Sequence, residues 1–178
     1  MKPIIRTLIV DDHAIVREGL RFLLSEESSI DVVGEASNGL EAVSLAKKEQ
    51  PDVILMDLVM PEMDGLTAIG HVAKASPQSQ VLVLTSFADD QKVHDAVKAG
   101  AIGYLLKDVL RPDLVRAIHA AAAGRPTLHP EAQRQLMRQV TNRKPPSLLD
   151  SLTKRERDVL KLIAAGLSNK LIARELHL

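Results

Sequence analysis

A chain of 178 residues has room for one full domain and part of another. Apolar residues make up 46%, with one Tyr, two Phe and no Trp, so the core is aliphatic; the absence of Cys excludes disulfides and thiolate metal sites. The zero net charge is uneven: residues 1–125 carry 13 basic and 18 acidic side chains, and residues 126–178 carry 10 basic and 5 acidic. An acidic first part suits a cation and a basic second part suits a polyanion. No apolar run approaches a membrane span and Met1–Arg6 is no signal peptide, so a soluble cytoplasmic protein is expected.

Ile4–Val10 is an apolar strand that runs into Asp11 and Asp12, and Val16, Leu20, Leu23 and Leu24 follow at helical spacing. Ile30–Glu35 is a second strand. Asn38 to Glu41 (N-G-L-E) has the form of a capping box, with a helix continuing over Ala42–Lys48. Val53–Met56 (V-I-L-M), between Pro51 and Pro61, fits a strand buried on both faces of a parallel sheet, with Asp57 at its carboxyl end. Asp64 and Gly65 open a helix through Ala75. Val81–Leu84 is the fourth strand, closing in Thr85 and Ser86, and Asp89–Ala99 is a small helix ended by Gly100. Ile102–Leu106 is the fifth strand, closing in Lys107 and Asp108, and Pro112 opens a last helix ended by Gly124.

Five alternations of β and α with short loops predict a parallel sheet with helices on both faces. The strand carboxyl ends then share one edge, which gathers Asp11, Asp12, Asp57, Thr85 and Lys107. The domain plan is 1–124, a linker over 125–150, and 151–178. Within the linker, residues 129–141 form a helix with Ala132, Leu136, Met137 and Val140 on one face, and Thr141–Ser147 is polar with two prolines. Thr153 to Glu156 is another capping box, opening a helix with Val159, Leu160 and Ile163 inside and Gly166 at its end. Ser168 caps a further helix, Asn169–Leu176, with Ile172, Ala173 and Leu176 apolar. Two short helices around a Gly turn form the start of a helix-turn-helix.

A lone buried carboxylate is costly, so Asp57 is either a strand-ending cap or a reactive group. Three carboxylates together repel one another, and a divalent cation between them relieves this. All-oxygen ligation without Cys favours magnesium. With magnesium bound, a carboxylate oxygen of Asp57 can attack phosphorus and form an acyl phosphate, while Lys107 supplies positive charge and Thr85 a hydroxyl donor. The set is complete for phosphoryl transfer to an aspartate and includes no separate general base for rapid hydrolysis. Asp11 taken alone reads as a helix N-cap, and His13 as a solvated first-turn residue. Val59 and Phe87 flank the site, either shielding an acyl phosphate or incidentally. The basic residues of Arg134–Lys144 read as a solvated helix face and linker.

The stretches V-D-D at Val10–Asp12, M-D-L-V-M-P-E-M-D-G at Met56–Gly65, L-T-S at Leu84–Ser86 and G-Y-L-L-K-D at Gly103–Asp108 resemble the receiver domain of two-component response regulators. Leu152–Ala173 resembles the opening half of a LuxR-type helix-turn-helix, and together the two parts are similar to the NarL/FixJ family of transcriptional regulators. The resemblance implies an α/β, flavodoxin-like (βα)5 receiver with a parallel five-stranded sheet over residues 4–124. A helical linker and an incomplete all-α helix-turn-helix domain would follow. By resemblance, Asp57 is the phosphoacceptor of a sensor histidine kinase. Asp12 and Asp57 bind Mg2+ with the backbone carbonyl of Val59, and Asp11 contributes through water. Lys107 pairs with the phosphoryl group and Thr85 bonds to it, while Tyr104 turns inward as Thr85 moves, a two-state element biased by phosphorylation. The face near Asp89–Leu106 carries that change to a dimer or domain contact. The implied protein is a cytoplasmic phosphoprotein that dimerises on phosphorylation and regulates transcription. It takes and slowly loses its own phosphoryl group without turning over a substrate.

The resemblance also places the base-reading helix after Leu178. The expectation is promoter binding by a complete protein, no specific DNA binding by these 178 residues, and marginal stability of residues 152–178 alone. Leu171 stands where a Glu or Gln would close a box with Ser168. Two other functions compete. One is a receiver acting as a dimerisation or interaction module without DNA. The other is a magnesium-dependent phosphatase, which generally carries a second carboxylate two residues after its nucleophile; Val59 at that position argues against it.

Overall fold

The computed structural model describes residues 3–86, 90–140, 153, 156, 159–160, 162–163 and 169–176. In chain order the elements are β1 (Ile5–Val10), α1 (Ala14–Ser25), β2 (Ile30–Ala36), α2 (Gly39–Glu49), β3 (Val53–Met56), α3 (Gly65–Ala75), β4 (Gln80–Thr85), α4 (Asp90–Ala99), β5 (Gly103–Leu106), α5 (Arg111–Ala122), β6 (Thr127–Leu128), α6 (Pro130–Val140) and α7 (Asn169–Glu175). The strands pair in the order β2-β1-β3-β4-β5-β6, every pair parallel. The five predicted βα units are all present.

β3 is apolar throughout, and β1 and β4 are largely so, because both of their faces are covered. On one face Leu8, Val10, Ile54, Met56, Val81 and Val83 pack with Ala42 and Ala46 of α2, Ala68, Ile69 and Val72 of α3, and Val93 and Ala96 of α4. On the other, Ile9, Val53, Leu55, Leu82, Leu84 and Leu105 pack with Leu24 of α1 and Leu114, Ala117, Ile118 and Ala121 of α5. Alanines at the helix contacts suit a core short of aromatics, since small side chains let helix backbones come close to the sheet. Each large aliphatic side chain fully buried contributes about 1.5–3 kcal/mol.

Helix starts follow the local signals. Asn38 Oδ1 accepts from the Glu41 N–H at 2.9 Å, and Asp64 Oδ1 accepts from the Thr67 N–H at 2.8 Å. The box at α2 is one residue wider than the pattern: the Glu41 carboxylate accepts from the N–H and hydroxyl of Ser37, at 2.8 and 2.9 Å. Ser37 offers its backbone N–H and its hydroxyl to the same carboxylate oxygen. These bonds, the backbone one foremost, hold the Glu41 carboxyl below its usual range.

β6 is absent from the predicted elements, since two residues cannot carry an alternating pattern. It pairs Thr127 with Gly103, and a Cβ at Gly103 would lie 2.5 Å from the Thr127 carbonyl oxygen. Glycine at that position is what allows the sixth strand to approach.

The chain divides into two compact units, Met1–Met137 and Arg138–Leu178. The first includes β6 and the start of α6, whose Ala132 is buried in the core. In the second, Thr153 and Glu156 form the predicted capping box. The Thr153 N–H and hydroxyl donate to Glu156 Oε2 at 2.7 and 2.8 Å, and the Glu156 N–H donates to Thr153 Oγ1 at 3.3 Å. Glu156, Val159, Leu160, Leu162 and Ile163 are helical, and in α7 Ile172 is buried while Leu171 is exposed. The stretch Thr141–Ser147, Gly166 and Ser168 lie outside the described residues.

Candidate functional site

The site is built by strand register. Val10 lies opposite Met56, so the next residue of each strand, Asp11 and Asp57, emerges at the same edge, with the Asp57 N–H donating to the Val10 carbonyl at 2.9 Å. Thr85 lies opposite Leu106, and the following Lys107 N–H donates to the Thr85 carbonyl at 2.9 Å. The predicted strand-end residues thus share one edge.

Asp11 and Asp57 are buried, and Lys107 Nζ stands between them, 2.6 Å from Oδ2 of each. Burial opposes the charge on Lys107, but its hydrogen bonds and ion pairs with Asp11 and Asp57 outweigh that and hold the ammonium above its usual range. Asp57 Oδ1 accepts from the Leu58 N–H at 2.7 Å, with the Val59 N–H at 3.5 Å. Asp11 Oδ1 accepts from the His13 N–H at 2.9 Å, so Asp11 braces the entry to α1 although His13 holds the N-cap position. The His13 ring is largely exposed, with Nδ1 2.8 Å from Asp12 Oδ1.

Thr85 Oγ1 is buried without a hydrogen bond, and Thr85 is wholly inaccessible; Asp12 Oδ1 is also buried and has the exposed His13 ring beside it. An unsatisfied buried hydroxyl costs about 1–3 kcal/mol. Lys107 pairs with Asp11 and Asp57, while Asp12 meets the exposed His13 ring, and three carboxylates so gathered fit a hard divalent cation. Ligand atoms of Asp11, Asp12 and His13 lie within 4.8 Å of one another. Val59 is about half-exposed beside Asp57. Tyr104 is fully buried among the residues of the α2–α4 face, in a strand paired on both sides. Phe87 lies outside the described residues.

Two residues at the site were not singled out by sequence. Gly65 folds against Asp57: its N–H donates to the Leu58 carbonyl at 3.0 Å, and a Cβ there would lie 2.1 Å from the Asp57 carbonyl oxygen. Its place after Asp64, at the end of the Met56–Gly65 motif, signals a helix opening and a family resemblance but not this close approach. Arg17 Nη1 donates to the Asp11 carbonyl at 2.7 Å. No sequence signal marks it, because a charged residue in α1 looks like any solvated helix position.

Residues 7–119 match the response regulator receiver domain, and residues 150–178 match bacterial regulatory proteins of the luxR family. The chain is similar to the transcriptional regulatory protein LiaR of Bacillus subtilis (strain 168), 43% identical over 175 residues covering 98% of this chain and 83% of LiaR. It is similar to the crystal structure of the response regulator ChrA of a heme-sensing two-component system, with a TM-score of 0.68 and 39% identity over 98% of this chain and 82% of that one. It also resembles a structure of two RcsB dimers bound to two parallel DNAs, with a TM-score of 0.70 and 26% identity over 98% of this chain and 83% of that one.

Proposed function

Since this chain belongs to the response regulators that join a receiver domain to a LuxR-type DNA-binding region and regulate transcription, we propose that Asp57 is its phosphoacceptor and a sensor histidine kinase its donor. The observation that carries this is Lys107 Nζ bridging two buried acids at the strand ends, beside a Thr85 hydroxyl with no partner.

A carboxylate oxygen of Asp57 forms the bond to phosphorus as the phosphorus–nitrogen bond of a phosphohistidine breaks, and the histidine leaves with the electron pair. Asp11, Asp12 and Asp57, with the backbone carbonyl of Val59, would hold Mg2+, and Asp11 would act through water. Bound Mg2+ offsets the charge of the transferring phosphoryl oxygens. Lys107, already 2.6 Å from Asp57, exchanges one carboxylate for a phosphoryl oxygen. Thr85 then has an acceptor for its idle hydroxyl. Tyr104 occupies the space behind as Thr85 moves, and the face of α4 and β5 changes with it. Position 59, two residues after Asp57, is a valine and supplies no acid–base group, so the acyl phosphate is lost slowly and nothing is turned over.

Phosphorylation of residues 1–124 controls dimerisation, and through it promoter binding by the LuxR-type helix-turn-helix to which residues 151–178 belong. RcsB, in its dimers on DNA, offers an analogy. Among the described residues no helix is long and apolar enough to cross a membrane, and we place the protein in the cytoplasm.

Intact-mass analysis after incubation with acetyl phosphate and Mg2+ tests the acceptor. One phosphoryl adduct is expected on wild type, and none on Asp57→Ala or without Mg2+. A folded wild type that takes no adduct overturns the assignment.

A further inference from the structure

The peptide joining the two acids of β1's end is held from outside the cluster. Asp11 lies one residue past the last ladder pairs, Val10 with Ala36 and Val10 with Met56. Its N–H is satisfied by the Ala36 carbonyl at 3.1 Å. The donor that reaches its carbonyl is the Arg17 guanidinium, at 2.7 Å.

Arg17 closes a ring of three hydrogen bonds around residues 11–13. The His13 N–H donates to Asp11 Oδ1 at 2.9 Å, the Arg17 N–H donates to the His13 carbonyl at 3.2 Å, and Arg17 Nη1 returns to the Asp11 carbonyl. The guanidinium is itself anchored. Its Nε lies 3.4 Å from Glu35 Oε2 on β2, and the other Glu35 oxygen pairs with Arg21, one turn further along α1. The Arg17 side chain is 18% exposed, so its charge is not simply solvated. A planar guanidinium can serve Glu35 and the Asp11 carbonyl at once with separate N–H groups, and an ammonium has no such fork.

We propose that Arg17 is a positioning residue for the divalent cation. By fixing the Asp11–Asp12 peptide, it presets the direction of the Asp12 carboxylate, whose buried Oδ1 otherwise meets the ring of the exposed His13, at 2.8 Å. The inference rests on the receiver reading of this edge, but it concerns cation affinity and not transfer itself. Groups that orient metal ligands typically change affinity by 10–100-fold when removed.

The test is Mg2+ titration calorimetry on the full chain, without phosphodonor, with Mn2+ relaxation as a second readout. Arg17→Ala is expected to raise the Mg2+ Kd by roughly tenfold or more, and Arg17→Lys to fall between it and wild type. In acetyl phosphate assays the half-saturating Mg2+ concentration rises with Arg17→Ala, while the limiting rate at saturating Mg2+ is retained. Should Arg17→Ala fold poorly, Glu35→Gln loosens the anchor without touching the site and moves the Kd in the same direction by less. A folded Arg17→Ala protein with the wild-type Kd overturns the proposal. So does an equal loss of affinity and melting temperature in the Ala and Lys variants, the mark of a merely structural residue. Wild type that binds Mg2+ but takes no phosphoryl group overturns the acceptor reading and leaves the Arg17 result standing.

Discussion

The two units of this chain are held by different physics. In Met1–Met137 the order comes from residues far apart in sequence: β3 is sealed by β1 and β4 beside it and by helices above and below. In Arg138–Leu178 the described order is local. It consists of a capping box three residues wide and a seven-residue helix, with Ile172 as the buried apolar residue among those described. Leu160, Ile163 and Leu171 there are exposed. A short helix gains little from its own hydrogen bonds and depends on packing. Local signals therefore suffice to start the described helices of the second unit, while the first unit has a core sealed on both faces of its sheet.

Core truncation should separate the two units most sharply. Leu82→Ala is expected to destabilise the first unit by about 2–5 kcal/mol, measured by urea denaturation. Ile172→Ala should leave that transition where it is. A shared shift would mean that the units unfold together. Gly65→Ala comes next: with its Cβ 2.1 Å from the Asp57 carbonyl oxygen, the post-β3 loop must move. Overpacking of this kind costs about 1–3 kcal/mol, and the rate of phosphoryl uptake should fall more than stability does.

Smaller effects test the polar groups. Thr85→Val removes a buried hydroxyl that has no partner, so stability should hold or rise by up to about 1 kcal/mol, whereas phosphoryl uptake slows. A clear loss of stability would mean that the hydroxyl is satisfied after all. Lys107 provides the alkaline counterpart. Its folded pKa lies above the ordinary 10.5, so its contribution is complete below that value and is lost as pH rises through the folded one. Lys107→Met should be less stable than wild type at neutral pH, with the gap narrowing above pH 10.5 in urea midpoints.

The smallest effect belongs to the second unit. The Glu156 carboxyl is held below its ordinary 4.5, chiefly by the Thr153 backbone N–H and then by its hydroxyl. That cap is present above 4.5 and fades as pH falls through the lower folded value. A lower amide-exchange protection factor at residues 156–163 in acid, matched at neutral pH by Glu156→Ala, is the expected sign. The first unit's sheet amides should not follow.

Much was legible without coordinates. The apolar runs, their turn residues and the acids after them determined five strands, five helices and the edge where Asp11, Asp57, Thr85 and Lys107 meet. Parallel alternation leaves a chain little freedom in where its strand ends go. Capping at Asn38, Asp64 and Thr153 was equally legible, being a matter of three or four neighbouring residues. Tertiary structure alone decided the rest. β6 exists because Gly103 lets Thr127 approach, a contact between residues 24 apart in number that no local pattern encodes. The bridging of Asp11 and Asp57 by Lys107, the idle hydroxyl of Thr85 and the reach of Arg17 to the Asp11 carbonyl depend on which side chains fall within about 3 Å of each other. That is set by strand register and helix rotation together, and composition or spacing along the chain does not contain it.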